Sequence, residues 1–203
     1  MATGPLAGLR VVELSHVMAG PTCGMMLADL GADVVKVERL PRGDDTRRFV
    51  PPEIQGESAA FMMMNRNKRG LAVNLRSENG RIALRRLIGT ADVFVENYRP
   101  GALDEMGLGY EAMRKDNPAL IYCSITGFGR TGPFSNHGGL DLIAQGMSGL
   151  MSITGEGPGR PPVKVGAPIT DITAGILSAV GILGAVAHRY ETGEGQYVDS
   201  SLY

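Results

Sequence analysis

Apolar positions in the first half of the chain fall into short β-branched runs that alternate with longer amphipathic stretches, and this alternation predicts repeating βα units. Leu9-Arg10-Val11-Val12-Glu13-Leu14 reads as a strand, Ser15 to Gly20 as a loop, and Pro21 as the opening of a helix that reaches Leu30 and stops at Gly31. Asp33 to Glu38 is a second strand, which makes a βαβ unit with parallel strands and a right-handed crossover. The alternation continues with a strand at Leu71 to Leu75, a helix at Ser77 to Ile88, a strand at Asp92 to Glu96, a short helical region after Pro100 and a strand at Leu120 to Ile125. A glycine-rich loop from Thr126 to Gly139, a helix from about Leu142 to Met151, a Pro/Gly loop to Pro168 and a last strand at Gln196 to Ser200 complete the pattern. The expected fold class is α/β: a doubly wound, mainly parallel, Rossmann-like sheet. In such sheets ligands bind beyond the carboxyl ends of the strands, so the loops after Leu14, Glu38, Glu96 and Ile125 should converge.

One segment breaks the amphipathic rule. From Ile172 to Ala187 no charge occurs, so a helix here is expected to be buried all round, with Arg189 and Gly193 as its stop signals. The run is too short for a membrane span and is interrupted by Gly175, Ser178, Gly181 and Gly184. Asp171 stands at its head, where a carboxylate commonly accepts hydrogen bonds from first-turn amides and suits the helix dipole. The residue is therefore either a cap or a nucleophile.

Composition narrows the partners. A chain of 203 residues with 43% hydrophobic and 20% charged residues and a net charge of -1 gives no footprint for nucleic acid or an anionic membrane. The start, Met1 to Leu6, lacks the basic and apolar regions of a secretion signal, so a cytoplasmic location is expected. Cys23 and Cys123, far apart among apolar or small residues, predict buried thiols, and the spacing of His16, His137 and His188 matches no metal site. Glycine, at 29 residues, is about twice the usual share and suggests a large ligand pressed against main chain.

The first βα loop, Met18-Ala19-Gly20-Pro21-Thr22-Cys23-Gly24, is not G-x-G-x-x-G, and Pro21 removes an amide that would face a pyrophosphate. Glu38 sits where a ribose-binding acid belongs, yet a dinucleotide reading is weak on that loop, and no P-loop motif occurs. Positive charge gathers instead at Arg39, Arg42, Arg47, Arg48, Asn65-Arg66-Asn67-Lys68-Arg69, Arg76 and Arg99, which suits a multi-phosphate ligand. With no Ser/His/Asp arrangement, a carboxylate is the natural nucleophile, being ionised at neutral pH without a general base.

Leu14-Ser-His-Val-Met-Ala-Gly-Pro21, Leu30 to Arg39, Asn65 to Arg69, Asp92-Val-Phe-Val-Glu-Asn97, Pro100 to Leu103, Gly127-Phe-Gly129 and Thr192 to Tyr197 resemble, in order, the class III CoA-transferases, which include formyl-CoA and carnitine CoA-transferases (the CaiB/BaiF group). The resemblance implies transfer of CoA from an acyl-CoA to a free small carboxylic acid through acyl-anhydride and aspartyl-CoA intermediates, with Asp171 as nucleophile, coenzyme A as the acyl-CoA co-substrate and no metal. It places CoA contacts at Met18, Ala19, Arg39, Val73, Leu75, Arg76, Asn97, Tyr98, Arg99, Gly138, Gly139, Leu140 and Asp141, with Asp141 shaping the site or capping a helix. Two departures speak against formate or oxalate: Met18 stands where formyl-CoA transferases carry glutamine, and Glu105 where they carry arginine. The related α-methylacyl-CoA racemases, an alternative on the same fold, have a histidine directly before the equivalent of Asp141. That position is Leu140 here, with His137 three residues away. A non-catalytic CoA-binding segment, in which Asp171 only caps, is the other alternative. Family members are longer and form interlocked homodimers with a second, small domain. Residues 1–203 are accordingly expected to be the N-terminal portion of the large domain, truncated after a core-like strand and poorly active alone.

Overall fold

The structure, a computed structural model, describes residues 3–203. Its strands are β1 (Arg10–Leu14), β2 (Asp33–Arg39), β3 (Glu53–Ile54), β4 (Glu57–Ser58), β5 (Arg69–Val73), β6 (Val93–Glu96), β7 (Ile121–Thr126) and β8 (Tyr197–Ser201). All but the β3–β4 hairpin join one parallel sheet in the order β5-β2-β1-β6-β7-β8. Counted along the chain, its strands lie 3-2-1-4-5-6, and the order reverses between β1 and β6.

Both faces are apolar because alternate residues of each strand point to opposite sides. Val11, Val93, Val95, Ile121 and Cys123 meet helices α1 (Ala19–Asp29) and α8 (Ile169–Thr192) on one face. Val12, Leu14, Phe94 and Tyr122 meet α3 (Glu78–Gly89) and α5 (Tyr110–Asp116) on the other. Between them along the chain lie α2 (Ala59–Asn65), α4 (Ala102–Glu105), α6 (Asp141–Met147) and α7 (Leu150–Ile153).

Three expectations need correction. The strand placed at Leu71 to Leu75 begins two residues earlier, and the stretch before it contains a short hairpin and α2, whose period is too brief to register in sequence. The single helix expected from Leu142 to Met151 is broken at Gly149, whose φ of +83° ends α6 and starts α7. Helix α8 is not buried all round: Thr173, Ile176, Leu177, Val180, Gly184 and Ala187 face outward, with Leu177 at 59% and Val180 at 57% exposure. Of the 29 glycines, 13 adopt positive φ and serve turns.

Candidate functional site

The sheet's order reversal opens a cleft at the carboxyl ends of β1 and β6, and a side chain from the β6 loop ties down the main chain of the β1 loop. Asn97, just past β6, accepts from the His16 amide at 2.9 Å and donates to the His16 carbonyl at 2.8 Å. Val17, held in the left-handed region at φ +65°, donates its amide to Asp44 at 3.1 Å. Beneath this loop lies a buried charge network that the strand pattern concealed. Glu13 meets Lys36 at 3.1 Å and Lys68 at 2.7 Å, while Lys36 also reaches Asp44 at 2.9 Å and the Ser15 carbonyl at 3.0 Å. Against the burial that would raise it, Lys36 and the Thr46 hydrogen bonds hold the Asp44 carboxyl down at about 2. Two acids and two lysines thus neutralise one another inside the fold and fix the loop that borders the cleft. The available signal was a charge at an inward position of each of the first two strands, Glu13 and Lys36.

A cavity of about 490 Å³ follows this loop, bordered by His16, Ala19, Asn97, Tyr98, Arg99, Glu105, Gly127, His137, Gly138, Gly139 and Asp171. Gly127 and Gly139 lie back to back, so close that a Cβ on either would overlap the other's main chain, and this brings the His137–Gly139 loop to the cavity wall. Ile125 and Thr126, at the strand end whose loop was expected to converge here, line it as well, and so does Leu202, which nothing in the sequence singled out.

Asp171 is not the cap of α8. The helix starts at Ile169, so Asp171 occupies the third helical position, and the side chain that satisfies the first turn comes from α6. Asp141 Oδ1 accepts from the Thr170 amide at 2.8 Å, the Thr170 hydroxyl at 2.8 Å and the Asp171 amide at 3.4 Å. Gln145, fully buried, ties this cap down: its Nε2 donates to Asp141 Oδ2 at 2.6 Å and its Oε1 accepts from the Val165 amide at 2.8 Å. A lone glutamine in the apolar run Leu142 to Met147 was the sequence signal for this bridge. Among the described residues no donor reaches the Asp171 carboxylate itself. Burial, and then the negative charge of Asp141, push its carboxyl up to about 6. The first-turn amides that an Asp171 cap would engage are taken by Asp141 instead.

A second compartment of about 660 Å³ shares Arg39, Tyr98 and Met106 with the first. Arg39, Arg42, Arg48, Leu75 and Arg76 line it, with Asp45 paired to Arg39 at 2.7 Å and also in contact with Arg48. The remaining basic residues lie elsewhere. Arg47 is bound bidentately by Glu38 at 2.8 Å to each oxygen, which uses up the acid at the dinucleotide ribose position. Arg66 contacts Asp29, Lys68 belongs to the internal network, and Arg69 pairs with Asp33 at 2.7 Å. These last three flank the amino end of β5, the wrong edge of a parallel sheet for a ligand at the carboxyl ends.

The structure thus brings Ala19, Arg39, Leu75, Arg76, Asn97, Tyr98, Arg99, Gly138, Gly139 and Asp171 to one continuous cleft. Four predicted residues do not line it. Met18 precedes α1 and gives its carbonyl to Thr22 at 2.8 Å. Val73 is 8% exposed within the core, Leu140 points outward at 65% exposure, and Asp141 is engaged in the α8 cap.

Known proteins share this sequence and fold. The sequence profile of CoA-transferase family III matches residues 6–203. The chain is 50% identical over 204 residues to a succinate–glutarate CoA-transferase of Agrobacterium fabrum, covering 98% of this chain and 51% of that protein. It is 49% identical over 198 residues to succinyl-CoA:glutarate CoA-transferase of Mus musculus, covering 98% and 45%. It is 50% identical over 208 residues to succinyl-CoA:mesaconate CoA-transferase of Haloarcula marismortui, covering 98% and 52%. The crystal structure of a CaiB/BaiF family protein from Brucella suis superposes with a TM-score of 0.93 at 49% identity, over 98% of this chain and 53% of that one. The chain spans about half the length of the curated relatives it matches. A parallel sheet of this order, a cleft at its switch point and a profile match running from β1 through β8 lead to one conclusion: the chain belongs to CoA-transferase family III.

Proposed function

We propose that this chain carries the cleft and the nucleophile of an acyl-CoA:carboxylate CoA-transferase, with Asp171 forming the covalent intermediates. The observation that carries the reading is the bare Asp171 carboxylate: it faces the cavity without a hydrogen-bond donor, because Asp141 performs the capping that would otherwise occupy it. With its carboxyl at about 6, Asp171 is still mostly ionised at pH 7 and more nucleophilic than an ordinary aspartate.

In the first step an Asp171 oxygen attacks the thioester carbonyl and CoA leaves as its thiolate, giving a mixed anhydride. The thiolate then attacks the aspartyl carbonyl, which releases the donor acid and leaves an aspartyl-CoA thioester. An acceptor carboxylate attacks that thioester and expels the thiolate again. The thiolate takes the acceptor's acyl carbon, which yields the new acyl-CoA and the free Asp171 carboxylate. Arg39, Arg42, Arg48 and Arg76 supply guanidinium groups for the phosphates of CoA at the far end of the cleft. The glutarate and mesaconate named for the relatives support short dicarboxylic acids as the acid substrates. His16, Arg99 and His137 on the cavity wall are donors for a second carboxylate.

The test is incubation of the complete protein with succinyl-CoA, trapping with hydroxylamine and peptide mass spectrometry. A hydroxamate on Asp171, absent in Asp171→Asn together with turnover, is the expected result. Turnover with Asp171 unmodified overturns the reading, and α-proton exchange in heavy water without CoA transfer points to the racemase chemistry instead.

A further inference from the structure

Nothing in the transfer steps uses Asp141 or Gln145, yet both are tied to the nucleophile. Asp141 holds the Thr170 and Asp171 amides from α6, Gln145 holds Asp141, and Gln145 in turn fastens the Val165 amide of the incoming loop. The polarity of this chain of bonds is fixed: a backbone amide can only donate, so Gln145 must present its oxygen to Val165 and its nitrogen to Asp141. Only an acceptor at position 141 completes the bridge. We infer that Asp141, locked by Gln145, is a positioning residue for the nucleophile: it takes over the first-turn amides of α8 so that the Asp171 carboxylate is left bare and correctly aimed into the cleft. This rests on Asp171 being the nucleophile, as proposed above.

The same placement has an electrostatic side. A carboxylate seated on the N-terminal amides cancels the positive end of the helix dipole and adds a like charge beside Asp171. That agrees with the raised Asp171 carboxyl, for which burial is the larger cause and Asp141 the second. Charges facing Asp171 from other elements are few. Helix α1 presents only the uncharged Ala19 to the same cavity, Asp199 of β8 points to the other face of the sheet and accepts from the Arg130 amide at 3.1 Å, and the loops contribute His16, Arg39, Arg99, Glu105 and His137 along the cavity.

The experiment compares the complete wild-type protein with Asp141→Asn and with the double variant Asp141→Asn/Gln145→Glu. In the single variant the new amide nitrogen faces the Gln145 nitrogen, so the bridge breaks. In the double variant the carboxylate introduced at position 145 accepts from both the new side-chain amide at position 141 and the Val165 main-chain amide. The bridge is thereby rebuilt with its charge moved one turn along α6, further from Asp171. For Asp141→Asn the expected result is a fall in kcat of at least about tenfold, as misplacement of a reacting group produces. The KM for acyl-CoA should stay within about twofold, and the acid limb of kcat/KM should move to lower pH. The double variant should recover most of kcat. Wild-type kcat with an unmoved acid limb in Asp141→Asn overturns the inference. A loss confined to KM makes Asp141 a CoA contact instead, and a loss of folded protein that the double variant does not rescue makes the bridge purely structural. If hydroxylamine leaves wild-type Asp171 unmodified during turnover, the nucleophile assignment itself fails; an adduct in wild type with no change in Asp141→Asn sinks only the positioning role.

Discussion

Ionising Asp171 inside the fold costs stability, since burial and Asp141 both oppose a second negative charge there. In the unfolded chain the group loses its proton near its ordinary value of 3.8, whereas in the fold it holds it up to about 6. The folded state therefore binds protons more tightly across that interval, and the stability penalty grows as pH rises through it and is complete above it. Asp171→Asn is expected to melt roughly 2–4 °C higher than wild type at pH 8 and at the same temperature near pH 4. Equal melting at pH 8 would show that the carboxylate is not strained in the fold. A functional group kept at a cost to the fold is the usual relation between activity and stability. The sequence indicated Asp171 as a residue of interest but left open whether it caps the helix. Whether an aspartate caps a helix depends on which turn residue comes first and on what else reaches the amides, and Asp141 lies thirty positions earlier.

Helix α8 places that residue through close packing against α1 as well as through the Asp141 cap on its first turn. Its length, and an 18-residue window within it of mean hydropathy 1.8, would suit a membrane span, yet it lies along α1 with Ala174, Gly175, Ser178, Ala179 and Ile182 turned inward. At Gly175 a Cβ would stand 2.5 Å from the Ala19 carbonyl oxygen and 2.7 Å from the Thr22 Cβ. Gly175→Ala is therefore expected to destabilise by about 1–3 kcal/mol in denaturant titration and to lower kcat as α1 and α8 separate. An unchanged midpoint would mean that the two helices can move apart freely. The absence of charge from Ile172 to Ala187 correctly predicted a helix, but not that one side would face outward. Periodicity reports what a helix tolerates, while burial depends on which neighbours arrive, and Leu177 and Val180 have none here.

Across the whole molecule, two compartments meeting at Arg39, Tyr98 and Met106 form a cleft with a guanidinium-rich end and a carboxylate end. Charge at one end and chemistry at the other predict separable kinetic effects. Arg42→Ala combined with Arg76→Ala in the complete protein should raise the KM for acyl-CoA at least about tenfold and leave kcat within about threefold, because phosphate contacts stay uniform through the reaction. A fall in kcat at saturating acyl-CoA, with KM unchanged, would contradict that division.

What the sequence determined by itself was the local alternation: short β-branched runs and amphipathic helices specify parallel strands with crossovers, so the doubly wound class and the ligand edge follow from the pattern of Val, Leu and Ile alone. It also supplied the arginines, though not which of them meet. Arg39 and Arg76 face one cleft because β2 and β5 are neighbours with their carboxyl ends together, while Arg66 and Arg69 stand at the amino end of β5 and are carried to the opposite edge. Only the tertiary structure decided that Asp141 and Gln145 satisfy the start of α8, that Glu13 and Lys36 neutralise each other under the site loop, and that Asp171 is left without a donor. The physical reason is common to all three. A buried polar group must find its partner wherever the fold brings one, and that partner's distance along the chain leaves no periodic trace.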